Sequence, residues 1–453
     1  MLQYVLALLT ILFFMVLIFR KPTVKTYVLY ILIVLPLIDS KILPLAYGFV
    51  RVFDVITLVA LILFYKDIFT FNLSNNTRWG LLILTICFWT FTLLSNFYSE
   101  FGFGNYYLLY QLFSVFIYTR LIIVYCNQNW ENRYKVVQAF KTGFTIALIF
   151  MALQIVFGLD VRITGLGPNV YSESTGLIRY PGVFGESQYN SQFLAMGSFI
   201  FLVLKPNISL NNKLLNYLGF ITAVIFIFFA GGRSALGGFI VGLLILFFML
   251  KPRFKVIGIF AGIIMITFYL MVSPKSGVFS RADNLGDDLE FRQEIWSETY
   301  TIIKEHPILG IGFGNFKPYI SKYHQELYLE ITPGEFTYFN QPENGYLKIL
   351  VEQGIIAFSI FVWFIIIAIS RVIWYLIQKT IEKNSIYFLS ALTAWLVAFN
   401  TVYSLLDYRL LTMVGFFITM MIMYARNTIE TKFIKYNTAS IYDTKIVVGS
   451  LYK

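Results

Sequence analysis

Apolar runs of membrane-crossing length recur along this chain, parted by short polar joints, and that repetition rules out most folds. "GLLILTICFWTFTLLSNFY", residues 80–98, is one of them. A helix needs about 20 apolar residues to cross a bilayer core. Lipid offers the backbone no partners, so crossings are helices or the strands of a closed barrel. Continuous apolar runs, rather than two-residue alternation, select helices. The chain is 58% hydrophobic and 13% charged, against about 25% charged in soluble domains. The expected fold is an all-α polytopic transmembrane bundle of about 12–13 spans by the length rule. Residues 1–272 hold the first spans, beginning with a retained helix at 2–19 and including an outer loop near 159–186. Residues 273–343 form a large helical loop, 344–425 return to the membrane, and 426–453 form a tail.

Lys and Arg set the orientation. They crowd one alternate set of short joints: Arg20, Lys21 and Lys25, then Lys66 and Arg78, then Arg133 and Lys135, later Arg371, Lys379 and Lys383. Basic short loops stay inside, so this side and the C-terminal tail are expected in the cytoplasm, and the large loop outside it. The net charge of +11 is then an orientation signal and not a nucleic-acid footprint. Cys87 and Cys126 fall in or beside apolar segments, which gives no disulfide framework.

Chemistry is to be sought where polar residues interrupt the outer ends of these runs. "IRYPGVFGESQYNSQF" sets Arg179 before a Pro-Gly turn and Glu186 at the start of a helix, as ligand or as cap. "FFAGGRSALGG" puts Arg233 in a tight outer turn against the positive-inside trend. The flanking glycines permit close approach there, and Ser234 is placed to cap the next helix. "FRQEIWSETY" puts Arg292 and Trp296 on one helix face, four residues apart. "QPENGYLKILVEQGIIAF" carries Glu343 and Asn344 where the chain re-enters the membrane. Pro342 suits a first helical turn, which draws Glu343 and Asn344 into it. Lys348, Glu352 and Gln353 lie deeper in the same run and suggest a lined cavity. His306 and His324 are the only histidines, without a metal-binding spacing. "RADNLGDDLEFR" does not follow a calcium loop, and "HPILGIGFGNF" is not a dinucleotide fingerprint. No metal and no cofactor is expected.

In this order the segments resemble the O-antigen ligase and polymerase superfamily of bacterial membranes. Its ligase signature is His, then Asn, Ser or Gln, nine residues, Gly, two residues, and Gly, Thr or Tyr. This chain supplies Glu343, Asn344, nine residues, Gly354, two residues and Ala357. The spacing matches, but Glu stands where ligases carry their catalytic His, and Ala stands last. The "GGRSAL" turn is similar to the family's arginine turn and carries that role to Arg233. "FRQEIW" is similar to its R-x-x-x-W helix and carries another to Arg292, and "RYPGVFGESQYNSQF" to its R-x-x-G-x-F loop.

The resemblance implies a polyprenyl-diphosphate-linked oligosaccharide as substrate, on the outer face of the cytoplasmic membrane, without nucleotide sugar or ATP. It also implies membrane lipid as surroundings and a chain-length regulator protein as a partner. Arg233, Arg292 and Arg179 would clamp the diphosphate, since guanidinium forks match phosphate oxygens. Glu343 would orient or deprotonate the acceptor hydroxyl, with His324 as reserve base and Glu186, Ser234 and Asn344 lining the substrate. Helix start and nearby Arg would lower the pKa of Glu343, whereas burial would raise it. The Glu at the ligase-His position turns the reading from ligase toward polymerase, with ligase and flippase as alternatives.

Overall fold

The computed structural model describes residues 5, 8, 9, 12, 15, 16, 23–45, 48–70, 76–103, 106–165, 170, 178–249, 285–326, 328–332, 335–377 and 383–425. The last apolar run of the 1–272 block, at 256–272, and the tail at 426–453 lie outside these, as does most of the expected helix at 2–19. What is described is a helix bundle, as the apolar runs require. The helices in chain order are α1 (Val24–Val34), α2 (Val52–Phe69), α3 (Asn76–Tyr98), α4 (Tyr106–Gln128) and α5 (Glu131–Phe157). Then come α6 (Ser187–Ser198), α7 (Leu210–Ala230), α8 (Arg233–Met249), α9 (Leu285–Glu305) and α10 (Phe316–Tyr323). The chain closes with α11 (Gly345–Ile377), α12 (Lys383–Phe399) and α13 (Tyr408–Ala425). Five described helices are long and apolar enough to cross a membrane: α5, α7, α13, and most of α4 and α11.

Local chemistry sets the ends. Thr23 and Ser209 cap α1 and α7, each side chain accepting a backbone N–H of the first turn. Pro36 turns the end of α1 into a 3-10 turn, because its ring removes a donor. The apolar run at 188–204 makes only a short helix: α6 tightens into a 3-10 turn at Phe199–Leu202. Two antiparallel hairpins, β1–β2 (Lys41–Leu45 with Gly48–Arg51) and β3–β4 (Tyr328–Thr332 with Glu335–Tyr338), were not anticipated in the all-helical reading.

Small residues bring the backbones together. A Cβ on Gly238 of α8 would lie 2.1 Å from the Ala394 carbonyl oxygen of α12, and one on Gly242 would lie 2.7 Å from that of Ser390. Such stripes replace the hydrophobic drive that lipid does not supply between helices. Aromatic rings fill the centre; Phe140 of α5 stacks on Phe416 of α13 at 4.4 Å. Large apolar side chains such as Leu58, Ile62, Phe97 and Phe248 face outward, as a lipid-facing surface requires.

One expected element is different in kind. The run from Tyr346 to Trp374 reads as one continuous helix, yet α11 breaks at Gly354, whose φ of 72° and ψ of 179° are not helical.

Candidate active site

The break in α11 is where the site's architecture begins. A left-handed residue interrupts the helical hydrogen bonds and frees carbonyls in an otherwise apolar region, where each unpaired group is costly. The glycine-rich loop after α9 fills the gap. Ile311 N–H donates to Val351 O at 3.0 Å, Gly312 N–H to Glu352 O at 2.8 Å, and Ile355 N–H to Pro307 O at 2.9 Å. Gly310, Gly312 and Gly314 all have positive φ. At Gly310 a Cβ would come within 2.5 Å of the Glu352 backbone. The "GIGFG" pattern is thus a clamp for a broken helix.

The same clamp occupies the polar residues expected to line a cavity, and that expectation is corrected. Lys348 and Glu352 pair at 3.0 Å and are buried. Lys348 also donates to Asn340 O at 2.7 Å, and Glu352 accepts from Phe316 N–H at 3.2 Å. Gln353 is buried beside Thr92. Lys348 and Glu352 thus tie α11 to the segments that flank it.

Just before α11 the chain makes a tight turn held from several sides. Gln341 accepts from Tyr403 N–H at 3.0 Å, and Pro342 O accepts from Trp296 Nε1 at 3.0 Å. Asn344 is the helix cap: its Oδ1 accepts from Tyr346 and Leu347 N–H at 3.0 and 3.1 Å. Its amide donates to Asn400 Oδ1 at 3.2 Å. Pro342, Glu343 and Asn344 therefore precede the helix rather than forming its first turn. Glu343 takes a φ of 49°, a conformation that costs on the order of 1–3 kcal/mol for a non-glycine residue.

Arg292 of α9 reaches Glu343 at 4.0 Å, and both side chains keep about a quarter of their surface, 27% and 22%. Arg292 and Trp296 thus lie on one face as their spacing demands, and both serve the same turn. Burial pushes the Glu343 carboxyl up to about 7; Arg292 opposes the shift and Glu186 adds to it. Glu186, at the N-cap position of α6, is itself raised by burial and then by Asp407. Two carboxyl groups and one guanidinium therefore lie within electrostatic range of one another.

Arg179 is buried against the turn that joins α7 to α8. It donates to Gly231 O at 3.2 Å, while Tyr180 N–H donates to Phe229 O at 3.2 Å. Gly231 ends α7 at φ 71°, and a Cβ on Gly232 would meet Ser191 of α6 at 2.4 Å. Arg233 opens α8, half-buried, at its N-terminal end. Ser234 follows inside the first turn, so Gly232 and not Ser234 holds the cap position. α6 ties the two halves together: Ser191 touches the α7–α8 turn, and Tyr189 lies within electrostatic range of Glu186, Glu343 and Asp407.

His324 belongs to another cluster. It pairs with Glu298 at 3.5 Å and Glu326 at 3.3 Å and stacks on Tyr319. Glu298, His324 and Glu326 offer donor atoms within 4.8 Å of one another, a described group that could hold a metal ion.

A buried ion network escaped the sequence reading. Arg409 forks onto Asp407, at 2.9 and 2.5 Å, and reaches Asp39 at 3.2 Å. Asp39 also pairs with Arg51. Arg409 donates in addition to Val183 O and lies 4.2 Å over the Phe184 ring. It thereby anchors the loop that presents Glu186. The available signal was charge at the ends of apolar runs: Asp39, Asp407 and Arg409 flank or open them.

Residues 218–362 match the profile of the family described as O-Antigen ligase. That stretch contains Arg233, Arg292, Glu343 and Gly354, and leaves Arg179 and Glu186 outside it. No curated protein matches this chain.

Proposed function

We propose, from the membership of the O-antigen ligase and polymerase superfamily that this match supports, that the protein is a membrane polysaccharide polymerase. Its substrates would be polyprenyl-diphosphate-linked oligosaccharides at the outer face of the cytoplasmic membrane. A hydroxyl of the incoming lipid-linked unit attacks the anomeric carbon of the growing chain. The new glycosidic C–O bond forms as the bond to the diphosphate breaks. Glu343 takes the hydroxyl proton, and the lipid diphosphate leaves as the anion. Burial favours this assignment, because a carboxyl near pH 7 is matched to general-base work at neutral pH. Arg292, Arg233 and Arg179 stabilise the charge developing on the leaving group. Preorganised donors of this kind are worth about 3–4 kcal/mol each.

The carrying observation is Glu343 itself: it stands at the ligase-His position, in a left-handed turn, paired with Arg292 at 4.0 Å. The broken helix does not favour a transporter, since its freed carbonyls are taken by the protein's own loop rather than facing a pathway.

The test is the size ladder of surface polysaccharide in a deletion strain carrying variants. With Glu343→Gln or Arg233→Ala, long chains disappear while single repeat units accumulate. Long chains in both variants would remove the site assignment. Long chains held on carrier lipid but absent from their final acceptor would instead identify a ligase.

A further inference from the structure

Away from the outer site, a crevice of about 1130 Å³ runs between α3, α4, α11 and α13. It begins beside Ile349 and Tyr403, beneath the turn that carries Glu343, and its walls are largely apolar. It ends at Arg120 of α4, Arg133 of α5 and Arg371 of α11. The amides Asn127, Gln128 and Asn129 line the same end. Its described lining holds these three arginines and no Asp or Glu. Protein interiors do not keep voids of this size empty, and an apolar crevice open to a bilayer draws in chains. All three arginines belong to the end that the basic loops assign to the cytoplasm.

We infer that this crevice is a binding site for an anionic phospholipid of the cytoplasmic leaflet, its acyl chains between the helices and its phosphate at Arg120, Arg133 and Arg371. Basic pockets between transmembrane helices on the cytoplasmic side recognise such head groups. Described interactions already orient two of the guanidiniums. Arg120 donates to Ile68 O at 3.1 Å, and Arg133 lies 4.1 Å over the Trp130 ring. Each guanidinium has five donors in a rigid fork, so orientation by the protein is compatible with phosphate contact. A zwitterionic lipid fills the apolar part equally well but brings its own cation to the arginines, so the site discriminates by charge. This inference is independent of the glycan reading, because its readout is lipid affinity and not polymer length.

The test uses the full chain, delipidated in dodecyl maltoside micelles, with thermal unfolding followed during titration. The probes are dioleoyl-phosphatidylglycerol, dioleoyl-phosphatidylcholine and inorganic phosphate. Phosphatidylglycerol should raise the unfolding midpoint saturably, and the other two should not. Arg371→Gln should weaken the apparent affinity about fivefold, the scale expected for one arginine near an anionic head group. Arg371→Lys should restore most of it. Thr119→Trp, which adds bulk to the crevice wall from α4 while keeping all three arginines, should abolish saturation, and it decides the matter if Arg371→Gln does not fold. Equal responses to both lipids would overturn the inference, as would an effect of phosphate alone. An unchanged response in Thr119→Trp would overturn it as well.

Discussion

Two ion pairs place their carboxyl groups nine residues apart on one stretch of chain, and they are built for opposite purposes. Lys348 and Glu352 meet at 3.0 Å, buried, with further hydrogen bonds to Asn340 O and Phe316 N–H. Arg292 and Glu343 meet at 4.0 Å, partly exposed, with Glu343 on a left-handed backbone. The first pair is enclosed by the protein and acts as a lock on the broken helix. The second keeps about a quarter of its surface and has a carboxyl poised near 7. A charge beside an apolar run is thus not informative alone; how far the protein encloses it is.

Removing one partner of the inner pair should have the largest effect on stability. Lys348→Ala leaves the Glu352 carboxylate buried without its cation, which costs about 3–5 kcal/mol. The amount of folded protein recovered from membranes should fall sharply, while activity per folded molecule stays near wild type. A normal yield would mean that the lock is not needed. Glu343→Gln should do the reverse and remove activity while the protein becomes more stable. The sign follows from the raised carboxyl. A folded value of about 7, above the ordinary 4.5, means the folded state holds the proton more tightly. Wild-type stability therefore falls as pH rises between those values. At pH 8 the amide variant should melt later than wild type, by an amount on the order of 1–3 kcal/mol, and at pH 4 the difference should vanish. A lower melting temperature at pH 8 would make Glu343 a structural residue.

Much of this contrast was legible in the sequence, and the part that was not has a physical cause. The apolar runs dictated the helical bundle, and the spacing of Arg292 and Trp296 placed both on the face that meets the Pro342–Glu343 turn. The nine-residue interval from Asn344 to Gly354 was visible, but its meaning was not. Asn344 starts the half-helix as its cap, and Gly354 ends it because only a glycine tolerates φ 72° where a Cβ would lie 2.1 Å from Ile308 O. Lys348 and Glu352 looked like cavity lining because their partners, Asn340 O and Phe316 N–H, are backbone groups of two separate segments whose paths sequence does not reveal. The Asp39–Arg409 link was missed for a similar reason: its members are 370 residues apart, and only folding brings them together.

If Glu343 is the base, activity should rise about tenfold per pH unit below about 7 and level off above it, since only the ionised carboxylate accepts a proton. The paired carboxyl supplies a finer test. Glu186 raises the Glu343 value, so Glu186→Gln should move the midpoint of the profile downward and leave its shape unchanged. A midpoint that does not move, or moves up, would separate Glu186 from the site.

The smallest expected effect falls on the residue that joins the two regions. Asn344 caps the half-helix that carries Lys348 and Glu352, and it also sets the backbone next to Glu343. Asn344→Ala removes the acceptor of two N–H groups and should cost about 1 kcal/mol of stability. If capping is its whole contribution, Asn344→Asp and Asn344→Ser should restore both melting temperature and polymer length, because either side chain accepts the same bonds. Asn344→Asp, however, adds a carboxylate beside Glu343 and should push the activity midpoint upward, while Asn344→Ser should not. Polymer loss in the serine variant at normal stability would show instead that the amide touches substrate, and Asn344 would then belong with Glu343 rather than with the lock.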